Sequence, residues 1–293
     1  MIKLILDTDI ADDIDDAFAL DFILKNSDQL ELLGVVTVFK NVLERAQIAK
    51  KIIRLNGKNI PVYMGENKPL RNNINYFHYE NPQHLLSYKP CLDEEKVEEM
   101  NGVDFILKTI RENPHQITLL GIGPCTDIAR AIQKDLETMK LVKQILLMNG
   151  TNNLSKAYTK EWNVLVDPEA EQVLFHSELP IRFVPGEITC QSTLTDEELQ
   201  KVFQKTNPSA LYINEMLKEW MDANKRMPVL HDVLPIYSLL NKDCFHFKKV
   251  VVEVPLDEEH RGSMALMEDE KSNKEVAMTF NRQVFMDYFM NLY

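Results

Sequence analysis

Leu4-Ile5-Leu6-Asp7-Thr8-Asp9-Ile10-Ala11-Asp12-Asp13-Ile14-Asp15-Asp16-Ala17-Phe18-Ala19-Leu20 is the stretch on which the fold turns. An apolar run from Ile2 to Leu6, broken only by Lys3, ends abruptly in acid, with six aspartates in the ten residues 7–16. Apolar residues then resume at helical spacing: Ala17, Leu20, Phe22, Ile23. The pattern predicts a strand, an acidic loop and a helix. One or two of the aspartates are expected to cap that helix and face its positive end. The rest are too many for capping. Carboxylates so close repel one another and must bind protons unless a cation sits among them. An all-oxygen site of this kind suits a hard divalent ion, Ca²⁺ or Mg²⁺.

Outward from this loop, strands and helices alternate. Strands are predicted at 31–38, 60–63, 117–120, 144–148 and 181–184, and helices at 43–55 and 103–112 and from Thr126. Asp167-Pro168-Glu169 reads as a helix start, with Asp as cap and Pro in the first turn. Thr195-Asp196-Glu197-Glu198 reads as a capping box, and Asn207-Pro208 opens a further helix. From Lys249 the chain reads as two or three antiparallel strands and a final helix, 282–292. The stretch 65–100 is a long polar excursion, expected to act as a lid, with His78 and His84 solvated. The whole predicts an α/β fold: an open, mainly parallel, Rossmann-like sheet with helices on both faces and a small antiparallel C-terminal portion. One domain, 1–293, is expected.

The 293 residues, 45% hydrophobic and 27% charged, have an ordinary globular balance. A net charge of −12 argues against general affinity for nucleic acid or anionic membrane. Cys91, Cys125, Cys190 and Cys244 stand far apart, as reduced thiols do. No signal sequence or membrane-length apolar run is present, so the cytoplasm is the expected compartment.

Ligands of parallel sheets bind beyond the carboxyl ends of the strands. The polar groups there should converge: Asp7, Asp9, Asp15 and Asp16, then Asn41, the Ile122 backbone, Asn149 and Glu187. No GxGxxG or GxxxxGK[ST] is present, which argues against a cofactor held by its phosphates. A metal and a polyhydroxy ligand fit this set better.

The acidic stretch resembles the DxDxGxDDAxAL signature of the inosine-uridine-type nucleoside hydrolases, with a loop two residues longer than in the best-known members and Ala11 in place of the usual glycine. Further segments are similar in the right order. They are the strand ending Val38-Phe39-Lys40-Asn41, Gly123-Pro124-Cys125-Thr126-Asp127-Ile128-Ala129 (GPLTNIA), Leu147-Met148-Asn149-Gly150 (LMGG), Glu161-Trp162-Asn163 with Asp167-Pro168-Glu169-Ala170 (EFNxxxDPEA), and His231-Asp232.

The resemblance implies hydrolysis of the N-glycosidic bond of a small riboside to free base and ribose. It implies Ca²⁺ held by Asp9, Asp16, the Ile122 carbonyl and Asp232, with Asp9 taking a proton from water. Asp15, Asn41, Asn149, Glu161, Trp162 and Asn163 are then expected around the substrate, and His231 at the rim beside the leaving base, titrating near neutrality. It also implies a homodimer or homotetramer. The loop near His78 lacks the family's HxHGxxG, and Glu187-Ile188-Thr189-Cys190 stands where many members carry a histidine. Two other readings start from the same residues. One is a calcium-dependent riboside-binding protein without chemistry. The other is an aspartate-nucleophile phosphohydrolase attacking through Asp7, for which no later GDxxxD is found.

Overall fold

The computed structural model describes residues 1–71, 95–155 and 158–293. The strand that begins the acidic stretch, β1 (Ile2–Thr8), is the middle of a parallel array. On one side it pairs with β2 (Leu30–Thr37), which pairs with β3 (Val62–Met64). On the other it pairs with β4 (Ile117–Gly121), followed by β5 (Gln144–Met148). Successive side chains of a strand point to opposite faces, and here both faces are covered. Leu4 and Leu6 pack into one apolar layer, and Ile5 packs into the other. The first layer is built largely by α1 (Asp15–Lys25) and α2 (Val42–Leu55), the second by α3 (Gly102–Glu112) and α4 (Thr126–Lys134). The near-continuous apolar runs of β1, β4 and β5 follow from this two-sided burial.

The sequence expectation for the later chain holds with one difference of placement. The short α5 (Leu136–Met139) precedes β5, and β6 (Thr159–Lys160) lies at the far edge of the sheet. Next come α6 (Trp162–Val166) and α7 (Pro168–His176), the latter capped by Asp167, which accepts from the Ala170 amide. Strand β7 (Ile181–Val184) pairs with β5. Then α8 (Gly186–Thr189), α9 (Asp196–Phe203), α10 (Pro208–Asn224) and α11 (Val233–Leu240) follow. The reciprocal capping box of Thr195 and Glu198 is formed at α9. The tail supplies β8 (Phe245–Glu253), β9 (Ser263–Glu268), β10 (Lys274–Phe280) and α12 (Arg282–Leu292). These strands do not stand apart. The last of them inserts beside β7, parallel to it, and is antiparallel to β8 on its other side. The sheet order is β3-β2-β1-β4-β5-β7-β10-β8-β9-β6.

Of the excursion at 65–100, residues 72–94 lie outside the described residues, and with them His78, His84, Cys91 and the expected lid. Cys125, Cys190 and Cys244 are free thiols. Among the described residues no helix is long and apolar enough to cross a membrane.

Candidate active site

Beyond the carboxyl end of β1 lies a cavity of about 430 Å³. Its lining includes Asp9, Asp15, Asp16, Ile122, Glu161, Trp162, Asn163, His231 and Asp232, so nine of the residues expected around metal and substrate meet there. Asn41 and Asn149 do not line it. Asn41 stands half-buried at the N-cap position of α2, without a capping side-chain bond. Asn149 is buried and turned away, its Nδ2 donating to Glu171 Oε1 at 3.0 Å. Glu187 is exposed and accepts from the Thr151 hydroxyl. Asp7 is buried behind the cavity against Asp127, whose negative charge adds to burial in raising the Asp7 pKa.

The acidic loop is shaped from beneath. The N-cap of α1 is Ile14, with no side-chain capping bond, so the expected aspartate caps are not formed. The helix instead begins with Asp15 and Asp16 in its first turn, near its positive end. Ala11 holds a φ of +87°, a conformation that favours glycine. A fully buried arginine, Arg45 of α2, reaches under this turn. It donates to the carbonyls of Asp9, Ile10 (2.8 Å) and Phe39 (2.8 Å) and pairs with the Asp12 carboxylate at 2.9 Å. Thr8 donates its hydroxyl to Asp16 Oδ1 and accepts from the Ile10 amide. Gly123 lets the β4 end approach, since a Cβ there would sit 2.8 Å from Asp9 Oδ1.

Asp15, Asp16 and Asp232 present carboxylate oxygens within 4.8 Å of one another. Burial raises each of their pKa values well above the usual carboxylate value, and the charges of neighbouring aspartates raise them further, Asp13 and Asp9 at Asp15, Asp9 and Asp15 at Asp16, and Asp15, Asp16 and Asp9 at Asp232. Asp9 is lifted to about 7, by burial first, against the opposing pull of Arg45. Such a set is strained as anions and relieved by a cation. Asp15 Oδ1 is buried with no hydrogen-bond partner. All the donors are hard oxygens, which fits the coordination taste of Ca²⁺ or Mg²⁺.

The opposite wall is set by α6. Glu161 caps it, accepting from the amides of Asn163 (3.1 Å), Val164 (3.2 Å) and Gly150 (3.3 Å). Burial raises Glu161 while these amides pull it back down. The amide at Gly150 is presented by a residue with φ of +70°. Asn163 donates to the carbonyls of Ile122 (3.2 Å) and Met148 (3.1 Å), fixing the Ile122 oxygen with one lone pair left for another partner. Trp162 is 38% exposed at the mouth and is not a core residue. His231 Nδ1 lies 2.6 Å from Thr189 Oγ1. Burial, helped by Arg226, lowers its pKa to about 4. The ring is therefore neutral at pH 7, where the sequence had suggested a group titrating near neutrality.

Three further lining residues belong to no motif: Trp220 and Asn224 in the last turns of α10, and Arg226 just beyond it.

The inosine-uridine preferring nucleoside hydrolase family model matches residues 4–287. The chain belongs to this family. Its members are N-glycosidases of ribonucleosides. Uridine nucleosidase 1 of Arabidopsis thaliana is 31% identical over 268 residues, covering 86% of this chain and 78% of its own length. The inosine-uridine preferring nucleoside hydrolase of Crithidia fasciculata is 28% identical, with 87% and 84% covered. Among solved structures, a plant nucleoside hydrolase superposes with a TM-score of 0.83 at 24% identity, covering 99% of this chain and 98% of that one.

Proposed function

We propose that this chain hydrolyses the N-glycosidic bond of ribonucleosides, yielding free base and ribose. The observation that carries the reading is the meeting of Asp9, Asp15, Asp16 and Asp232 with Glu161, Asn163 and His231 around one cavity. The donor set fits Ca²⁺, which Asp9, Asp16, Asp232 and the Ile122 carbonyl would hold. When bound, the ion supplies a field that acidifies water and grips the sugar diol.

The residues of the chain do the rest. Asp9 accepts the proton of the attacking water. Asp15, Glu161 and Asn163 hold the ribose hydroxyls, and Trp162 covers the mouth. Breaking the bond to the base leaves an oxocarbenium-like sugar, whose positive charge the surrounding carboxylates stabilise. His231 Nδ1 pairs with the Thr189 hydroxyl, and in the tautomer whose Nδ1 accepts that bond, its Nε2–H donates to the departing base. Asn41 and Asn149 do not line the cavity, and no role is proposed for them here. The substrate is a small riboside, with no nucleic acid or membrane partner. The assembly is a homodimer or homotetramer in the cytoplasm.

The phosphohydrolase reading is disfavoured because the nucleophile it needs, Asp7, is 1% exposed and lies behind the cavity. Product analysis on a panel of ribosides tests the proposal. Equimolar free base and ribose is the expected result; tight binding without products would make the chain a riboside-binding protein instead.

A further inference from the structure

Behind the wall that carries Glu161 and Asn163 lies a buried polar group that no chemical step uses. It consists of Cys125, Asn149 and Glu171, none more than 1% exposed. Asn149 Nδ2 donates to Glu171 Oε1 at 3.0 Å and lies 3.8 Å from Cys125 Sγ. The Cys125 thiol faces the same carboxyl. Cys125 and Asn149 stand where the GPLTNIA and LMGG patterns carry Leu and Gly, so two apolar positions have turned polar together. Burying such side chains costs free energy unless they pair, and their pairing here joins three segments of the chain.

Each segment carries part of the site. Cys125 heads α4, three residues after the Ile122 carbonyl. Asn149 follows β5, between two backbone groups that hold the ribose side. Before it, the Met148 carbonyl accepts from Asn163 at 3.1 Å; after it, the Gly150 amide donates to Glu161 Oε2 at 3.3 Å. Glu171 lies one turn into α7, its amide bonded to the Asp167 carbonyl at 3.2 Å, and Asp167 also ends α6. The α6 wall is thus held from behind against the ends of β4 and β5. A parallel tie runs from Thr126 Oγ1 to Asp167 Oδ2 at 2.7 Å. Glu161 faces Glu171 from the head of α6, Asp167 from the head of α7, Cys125 from α4 and Asn149 from β5. Burial, with Glu161 and Asp167 adding to it, pushes the Glu171 pKa up to about 8, so the carboxyl keeps its proton at neutral pH. Its ionisation would set another buried anion beside those two acids.

We propose that Glu171 is a positioning residue, which through Asn149 and Cys125 locks the α6 wall onto the ends of β4 and β5 and so fixes Glu161 and Asn163 for the ribose. Glu171 itself touches no substrate. The inference rests on the riboside-hydrolase reading for its ligand, but ribose binding tests it without turnover. Trp162 stands between Glu161 and Asn163 in the chain and lines the cavity, so intrinsic fluorescence reports an arriving sugar.

The experiment measures the Kd of ribose by tryptophan fluorescence, and KM and kcat for p-nitrophenyl riboside, in calcium-loaded protein. The proteins are wild type, Glu171→Ala, Glu171→Gln, Asn149→Ala and the double variant of the two alanines. Glu171→Ala should weaken ribose and raise KM by about ten-fold, the worth of a lost buried hydrogen bond, with kcat changed less. Glu171→Gln, neutral and still an acceptor for Asn149, should stay within about two-fold of wild type. The double variant should be no worse than Glu171→Ala, because both changes break the same bond. Above pH 8 the wild-type KM should rise as Glu171 ionises, and that of Glu171→Gln should not; this comparison stands even where Glu171→Ala does not fold. Ribose affinity and KM unchanged in Glu171→Ala, penalties that add in the double variant, or one pH response shared by wild type and Glu171→Gln overturns the assignment. A protein that binds ribose and releases no product sinks the hydrolase reading, and the ribose Kd values then decide on Glu171 alone.

Discussion

Chelating divalent cations should make this protein more stable in mild acid than at pH 8, and calcium should reverse that order. Burial lifts Asp9 from 3.8 to about 7. A carboxyl whose folded pKa lies above its unfolded value binds its proton more tightly when folded. Its stabilising contribution is complete below the unfolded pKa and is lost as pH rises through the folded one. For Asp9 the window runs from about pH 4 to about 7. The shift of about three pKa units corresponds to about 4 kcal/mol, at about 1.4 kcal/mol per unit. Asp15, Asp16 and Asp232 are shifted in the same direction by the same burial. In a chain of this size about 4 kcal/mol moves the melting temperature by several degrees. The assay is thermal unfolding from pH 5 to pH 8, in chelator and in saturating calcium, on wild type and Asp9→Asn. Without cation the wild-type midpoint should fall as pH rises, and Asp9→Asn should flatten part of that slope. With calcium the stabilisation should be larger at pH 8, because protons compete with the ion for the same oxygens. A calcium effect equal at both ends of the range, or absent, would refute the cation-relieved acidic cluster.

Three further outcomes follow from the same geometry. Asp9→Asn keeps the shape of the side chain but removes the proton acceptor, and should lower kcat by about 10²- to 10⁴-fold; wild-type turnover in this variant would move the base elsewhere. His231→Ala should slow inosine by about 10²-fold while sparing p-nitrophenyl riboside, whose leaving group needs no donated hydrogen bond; equal slowing of both would point to damage at neighbouring Asp232. Ala11→Gly relieves a positive φ and should stabilise the protein by about 1 kcal/mol, seen as a higher melting temperature, unless Arg45 alone dictates the turn.

Much of the fold was legible because its forces are local. Parallel strands buried on two faces must be apolar throughout, and β1, β4 and β5 read so. Asp167 before Pro168, and Thr195 three residues before Glu198, announce helix starts through bonds made within one turn. The acidic run announced a cluster of buried carboxylates, because so many aspartates in one loop beyond a buried strand must share one small space. What escaped was non-local. Arg45 sits in an ordinary amphipathic helix, and nothing in its neighbourhood says that it is fully buried beneath a loop more than thirty residues earlier. Trp220 and Arg226 belong to no motif and reach the cavity only through the packing of α10. The place of β10 beside β7 depends on two distant segments meeting. Asn41 and Asn149 were rightly placed at strand ends, but the position of a residue does not fix where its side chain turns. For Asn149 the buried Glu171 supplied a partner on the far side.

The most direct measurement is a calcium titration of chelated protein, following riboside turnover and bound ion together by calorimetry. Turnover absent in chelator, and rising in step with bound calcium to a plateau at one ion per chain, is the expected result. Full release of base and ribose in chelator, with no ion bound, would contradict the account.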